Sequence, residues 1–364
     1  MVSDKTIGTL TSSSPSLPTL PFDLIPEILC RLPVKFLLQF QCVCKSWKSL
    51  ISDPKFAKKH LSLSTTHTLH CMSYSREHSG KNVLIKSYSL DSVLTNITRT
   101  QFPSDNTVFF DGSCNGILCL VRERADFILV QLWNPSIRKF KELPPIISTP
   151  PIKIPWMYGF GYDPISDNYK VVVVFDLTIT NGFRKNEVKV HTLGTDSWRS
   201  VSEFPFAIED VQLSGQYASG TINWFVSTDI KQSRCFIASF DLGNESYQKV
   251  LLPDDSGEVD ENTLCLSVFR DCLCMIYGED VWVMKEYGNK ESWTKLFTIS
   301  SMRDFSCPYI KAICIFEDEQ VLLRYVNDKR WGHISYNYKN HTSKFIEFEN
   351  IPEVCVESLI SPCF

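Results

Sequence analysis

The spacing of hydrophobic positions changes character near residue 60. Between residues 20 and 60 it is helical: Leu24, Ile25, Ile28, Leu29 and Leu32 fall on one face of a first helix. Asp23 stands where an N-cap belongs, Pro26 lies within the first turn, where a missing N–H costs little, and Pro33 stops the segment. A second helix can start at Val34 and expose Leu37, Phe40 and Val43. A third carries Trp47, Leu50 and Ile51, and Asp53-Pro54 closes it. From residue 67 to 364 the pattern becomes short β-type runs broken by turn signals, such as Ile117 to Val121, Tyr169 to Phe175, Val188 to Val190 and Cys235 to Phe240. Residues 1–19 are rich in Ser, Thr and Pro and read as a disordered tail.

This pattern predicts an α+β multidomain chain, with a three-helix segment over residues 20–60 and an all-β region over 67–364. Three helices in about 35 residues are too few to bury a core alone. Their apolar groups imply a covering surface, either the β region or another protein, and periodicity leaves both open.

The β region contains a loose repeat of roughly 40–50 residues, the period of a four-stranded propeller blade. Compare Leu132-Trp133-Asn134-Pro135…Phe140, Val190-His191-Thr192…Trp198, Phe240-Asp241-Leu242…Tyr247, Trp282-Val283-Met284…Trp293 and Tyr336-Asn337-Tyr338…Phe345. Five such units fit between residues 113 and 349, and the strands of 67–103 need a partner, which Val354 to Pro362 can supply. Closing a ring in this way removes exposed sheet edges. Six blades are expected, with five and seven as alternatives.

Composition narrows the function. A formal net charge of −4 lacks the basic excess that generic phosphate binding needs, so no nucleic-acid partner is expected. Residues 21–60 carry a net +4 and the remainder about −8, so the helical segment is locally basic. No run approaches the ~20 apolar residues of a membrane helix, and the N-terminus lacks the apolar core of a signal peptide. The fourteen cysteines then read as reduced, mostly buried small hydrophobes of a cytoplasmic or nuclear protein.

The string from Leu20 to Phe56 resembles a plant-type F-box. Its Leu20-Pro21 start, Glu27-Ile28-Leu29, Arg31-Leu32-Pro33, Val43-Cys44-Lys45 and Trp47-Lys48-Ser49-Leu50-Ile51 follow that motif in order and spacing. It departs at Phe36, where the motif usually has a small polar residue, and at Gln39 and Gln41, where basic residues are common. The resemblance implies docking on the Skp-type adaptor of SCF ubiquitin ligases, and through it on a cullin. By analogy Leu20, Pro21, Leu24, Ile25, Ile28, Leu29, Leu32, Pro33, Leu37, Val43, Cys44, Trp47 and Ile51 carry or shape the contact. A locally basic module suits an acidic adaptor.

The β region is similar to the plant F-box-associated interaction domain. The resemblance lies in Gly112 to Leu120, Leu132-Trp133-Asn134-Pro135-Ser136, Tyr158 to Pro164, Ile237 to Leu242 and Val281 to Gly288. The family includes the pollen S-locus F-box proteins, which makes a ribonuclease one possible target. The same strings have a plain reading: Asn134-Pro135 and Asp163-Pro164 initiate turns, and Trp133, Trp198, Trp224, Trp282 and Trp293 suit packing better than ligand contact.

Catalytic chemistry is not signalled. Phosphate loops, a nucleophile elbow and CxxC pairs are all absent. His67, His70 and Cys71 lack a second ligand pair, and the acidic stretch 254–261 does not have EF-hand spacing, so no metal and no cofactor is expected. The expected role is substrate recruitment without catalysis. The alternatives are a scaffold that binds the adaptor without degrading its target, and a propeller enzyme or sugar binder. Target contact is expected on the long connections 144–156, 176–187, 227–234 and 252–262, with Trp156, Phe183, Arg184, Lys231 and Arg234 as interface-type residues.

Overall fold

The computed structural model describes residues 24–63, 69–76, 82–89, 97–103, 109–123, 127–147, 155–178, 184–206, 210–211, 214–227, 235–253, 265–299, 309–316, 319–327, 330–346, 348 and 353–363. These form two compact units, divided between Ser64 and Thr65.

Among the described residues the first unit holds four helices: α1 (Leu24–Leu29), α2 (Val34–Phe40), α3 (Lys45–Ile51) and α4 (Pro54–Leu63). The fourth begins where the sequence suggested a stop. Asp53 accepts a hydrogen bond from the Lys55 backbone N–H at 2.7 Å, so it caps a new helix, and Pro54 occupies the first helical position, where proline is well tolerated. This helix gives the unit a small core: Leu29, Cys30, Val34, Leu37, Ile51, Phe56, Ala57 and His60 are all buried. Leu37, expected on the exposed side of α2, is fully buried, because α2 packs that face against its neighbours. Two polar contacts tie α4 back: His60 Nε2 meets the Leu32 carbonyl at 2.8 Å, and Lys59 pairs with Glu27 on α1.

The second unit consists of six antiparallel sheets. Blade 1 has the order β26-β1-β2-β3, with β1 (Leu69–Arg76), β2 (Asn82–Ser89), β3 (Ile97–Pro103) and β26 (Glu353–Val356). Blade 2 holds β4 (Phe109–Cys114), β5 (Ile117–Glu123), β6 (Phe127–Asn134) and β7 (Lys139–Glu142), with β8 (Ile146–Ile147) also on β6. Blade 3 holds β9 (Pro155–Asp163), β10 (Asn168–Thr178), β11 (Arg184–Thr192) and β12 (Arg199–Val201). In blade 4, β13 (Asp210–Val211) and β14 (Gln216–Ala218) share the inner position, followed by β15 (Thr221–Ser227), β16 (Cys235–Asp241) and β17 (Ser246–Val250). Blade 5 holds β18 (Cys265–Phe269), β19 (Cys272–Tyr277), β20 (Asp280–Met284) and β21 (Trp293–Thr298). Blade 6 holds β22 (Tyr309–Ile315), β23 (Gln320–Asn327), β24 (Arg330–Asn337) and β25 (Thr342–Ile346).

Contacts between inner strands run β4 to β9, β9 to β14, β14 to β18, β18 to β22, β22 to β26 and β26 to β4, which closes a ring. The closing strand is the one the sequence suggested: Leu69 pairs with Val356 and Met72 with Glu353. The tail beyond β26 then runs under blade 2. Asn134 Nδ2 donates to the Ser358 carbonyl at 2.9 Å and to the Ile360 carbonyl at 2.7 Å. Gly116 (φ +82°) leaves room for this tail, since a Cβ there would lie 2.3 Å from Ser358 Cβ.

Sheets stacked on both faces explain the continuous apolar runs. Along β15, Ile222, Trp224 and Val226 join a core with Val172, Val190 and Phe240, while the intervening Phe225 joins a second core with Leu266, Met275 and Trp293. A third core joins Ile276 and Val281 to Ala312, Leu323 and Tyr336. Trp224 is completely buried and donates from Nε1 to the Tyr158 carbonyl at 2.8 Å. The repeated turn phrase has one geometry. Asn134, Asp241 and Asn337 each accept two backbone N–H bonds, two and three residues on, and Arg138, Glu245 and His341 close the turns in left-handed conformation.

Candidate functional site: two surfaces

On the helical unit, side-chain placement divides the candidate residues. Leu29, Leu37 and Ile51 face inward and hold the helices together. Ile25, Leu32 and Trp47 are half-buried, and Pro33 and Cys44 are exposed. Leu24 (48% exposed), Ile28 (46%) and Val43 (62%) stand in solvent. Leu24 and Ile28 are one helical turn apart and share a face of α1. Trp47 rests edge-on against Phe40, with ring centroids 5.5 Å apart, so its indole is held in one orientation. Leu20 and Pro21 lie outside the described residues.

The electrostatics of this unit are those of a surface. Hydrogen bonding and attraction from Lys59 lower the Glu27 carboxyl and raise its partner. The exposed Cys44 thiol is lowered chiefly by its hydrogen bond with Ser46 and by the Trp47 backbone N–H. Lys35, Lys45 and Lys48 are exposed alongside these apolar groups, as is Glu27.

On the propeller, strand direction sorts the connections. In each blade the first and third turns lie at one end and the second turn and the outgoing connection at the other. The first end carries short turns such as Asn115-Gly116, Ser219-Gly220 and Arg270-Asp271. The four connections 144–156, 176–187, 227–234 and 252–262 all join strand ends at the second. Trp156 and Arg184 begin β9 and β11 at that end, as backbone positions. Phe183, Lys231 and Arg234 lie outside the described residues, as does the acidic stretch.

The polar residues buried in the propeller join blades. Lys170 Nζ lies 3.0 Å from Asp163 Oδ2 and 3.0 Å from Glu245 Oε1, and Glu245 also pairs with Arg199, so blades 3 and 4 share one ionic network. Burial raises the Asp163 carboxyl, but bonds from Ser166, Lys170 and two backbone N–H groups outweigh it, and the net is below the usual range. Glu245 is balanced the same way, with Arg199 and Lys170 outweighing burial. The Tyr287 hydroxyl meets Thr221 Oγ1 at 2.8 Å and Asn223 Oδ1 at 2.7 Å, joining blades 4 and 5. Sequence reasoning missed both clusters. Lys170 could have been noticed, as a lysine opening the run Val171 to Val174.

Burial pushes the inner-strand thiols Cys114, Cys314 and Cys355 up, which keeps them protonated and weakly nucleophilic. Burial and the bond to Asp167 raise the Tyr162 hydroxyl to about 12. Among the described residues, no group of three or more His, Cys, Asp or Glu could hold a metal ion, and no helix is long and apolar enough to cross a membrane.

Comparison with known families agrees with this division. The F-box domain model matches residues 17–59, and the F-box associated beta propeller domain model matches residues 58–361. An F-box/kelch-repeat protein of Arabidopsis thaliana is 32% identical over 338 residues, covering 88% of each chain. The Arabidopsis F-box protein CPR1 is 27% identical over 388 residues, covering 95% of this chain and 89% of its own. Among solved structures, TolB from Acinetobacter baumannii aligns with a TM-score of 0.42 at 10% identity, over 80% of this chain and 67% of its own. A fucose-specific lectin from Aleuria aurantia gives 0.39 at 11% identity, over 78% and 95%. Those two structural likenesses carry no functional argument. The two family models and the Arabidopsis relatives show the family: this chain belongs to the F-box proteins that carry an F-box-associated β-propeller domain.

Proposed function

We propose that this chain is the target-recruiting subunit of an SCF-type ubiquitin ligase. The F-box implies a Skp-type adaptor as partner, and through it a cullin. The observation that carries this reading is the helical unit's own economy. It has buried Leu29, Leu37 and Ile51 in a core and still presents Leu24, Ile28 and Val43 to solvent. Such anchors gain energy only when a partner covers them, and a few of them dominate a protein interface. The propeller's role is to hold a target near the ubiquitin-loaded conjugating enzyme, which raises the effective concentration of target lysines toward the millimolar range. That role asks no catalysis of this chain, and the protonated thiols and structurally engaged carboxylates support a non-catalytic reading. The four long connections gathered at one end of the ring are the proposed target surface, in the cytoplasm or nucleus.

Co-purification tests the docking. The wild-type chain retains adaptor and cullin, and a variant carrying both Ile28→Asp and Val43→Asp loses them while its propeller stays folded. Retention by that variant would refute the proposed face. Mass spectrometry of captured proteins, with and without proteasome inhibition, identifies the target. A target whose abundance never responds to this chain would favour a non-degrading scaffold.

A further inference from the structure

We infer that Phe36 is a specificity-determining contact of the helical unit, one that enters an apolar, acid-rimmed pocket on the Skp-type adaptor. This rests on the docking role proposed above and names a residue outside the motif's own contact set.

Phe36 is 46% exposed on α2. The roll of α2 is set by Val34 and Leu37, which are buried on its other side. At 100° per residue, Phe36 cannot turn inward while Leu37 stays in the core. One turn further on, Phe40 shares the face of Phe36 and is braced by Trp47. Val43 follows, 62% exposed. Phe36 therefore extends the apolar surface of α2 and α3 by one helical turn. Its immediate neighbour Lys35 is exposed, as are Lys45 and Lys48, so the partner surface that fits has an apolar centre and an acidic border. Phe36 is also one of the three positions, with Gln39 and Gln41, at which this chain departs from the motif. An adaptor lacking the pocket would leave the ring in water, so the residue discriminates among adaptor copies rather than strengthening all of them.

The test uses the full chain against a panel of purified Skp-type adaptors. Affinity is measured for wild type, Phe36→Ser, Phe36→Leu and Lys35→Glu, and thermal melting is recorded for each. Phe36→Ser is expected to weaken the best-bound adaptor by about ten-fold and the others by less than about two-fold, with melting unchanged. Phe36→Leu restores affinity to within about three-fold. Lys35→Glu weakens the same adaptor, and the loss shrinks at high salt. If Phe36→Ser binds every adaptor like wild type, the inference fails while adaptor docking stands. Parallel loss of melting temperature and affinity, uncorrected by Phe36→Leu, would show a structural role and overturn it. A neutral Lys35→Glu removes the acidic border from the description. If wild type binds no adaptor at micromolar concentration while folded, the docking role itself is refuted.

Discussion

The two units differ in how densely they leave apolar groups in solvent. The propeller buries one ion pair, with Lys170 and Asp163 5% and 1% exposed beside a core that hides Trp224 completely, and its exposed apolar side chains, such as Ile147 and Ile165, are scattered among the blades. The helical unit leaves Leu24, Ile28, Phe36 and Val43 in water and keeps Trp47 half-covered. The difference shows where substitutions will be felt. Changes at buried groups such as Trp224 and Lys170 act on folding, and, on the proposed function, changes at Leu24, Ile28, Phe36 and Val43 act on association.

The contrast can be broken most sharply at Trp224. Trp224→Ala removes a fully buried indole and its bond to Tyr158, and is expected to cost about 3–5 kcal/mol of propeller stability in denaturant titration. A change below about 1 kcal/mol would mean that the interface between blades 3 and 4 repacks freely.

Next in size is Lys170→Met. It leaves Asp163 buried without its cation, while Glu245 keeps Arg199, and about 3 kcal/mol is expected to be lost at neutral pH. Because Asp163 is held below its ordinary pKa, its contribution is present above the unfolded-state value near ~3.9 and disappears as pH falls through the lower folded value. The stability difference between wild type and Lys170→Met should therefore narrow in strong acid.

Asn134→Ala removes both donors to the C-terminal tail and the acceptor of its own turn, for an expected loss of about 1–3 kcal/mol. Limited proteolysis would show the tail released first.

A gentler effect is read from His333, which is buried beside Phe348 and opposite Arg324. Burial first, and then the nearby arginine charge, lower its pKa to about 4. The unfolded chain takes up the proton near its ordinary value of ~6.5, so acid favours unfolding. This residue adds no pH dependence above ~6.5. It lowers stability by about 1.4 kcal/mol per pH unit between that value and its folded pKa, and His333→Gln removes the slope.

Val43→Ala should be nearly silent on stability, within about 0.5 kcal/mol, while it weakens adaptor capture. A large loss of stability there would show that the helical unit depends on that residue for its own fold.

The fold was legible to the extent that it repeats. Asn134, Asp241 and Asn337 open turns of one geometry, and that local chemistry is written in the sequence at a regular interval. The F-box motif was legible too, but periodicity could not tell its inward leucines from its outward ones. Leu37 and Val43 read alike until packing separates them, because a stripe on a short helix is wider than the surface it covers. The fourth helix was missed because Asp53-Pro54 can end one helix or begin another, and only the buried Phe56 and His60 decide between them. The link from Lys170 to Glu245 was invisible because the two lie 75 residues apart in sequence, and no local signal pairs them.

Pairing of β1 with β26 has a temporal side. Synthesis runs from the helical unit toward β26, so the ribosome delivers the docking helices well before the strand that completes blade 1. During that interval β1 presents an open backbone edge, which is the kind of surface that recruits chaperones or misassembles. On the proposed function, a message cut short before residue 353 would yield a subunit able to occupy the ligase without a finished ring. Such a fragment would act as a dominant competitor rather than a simple loss.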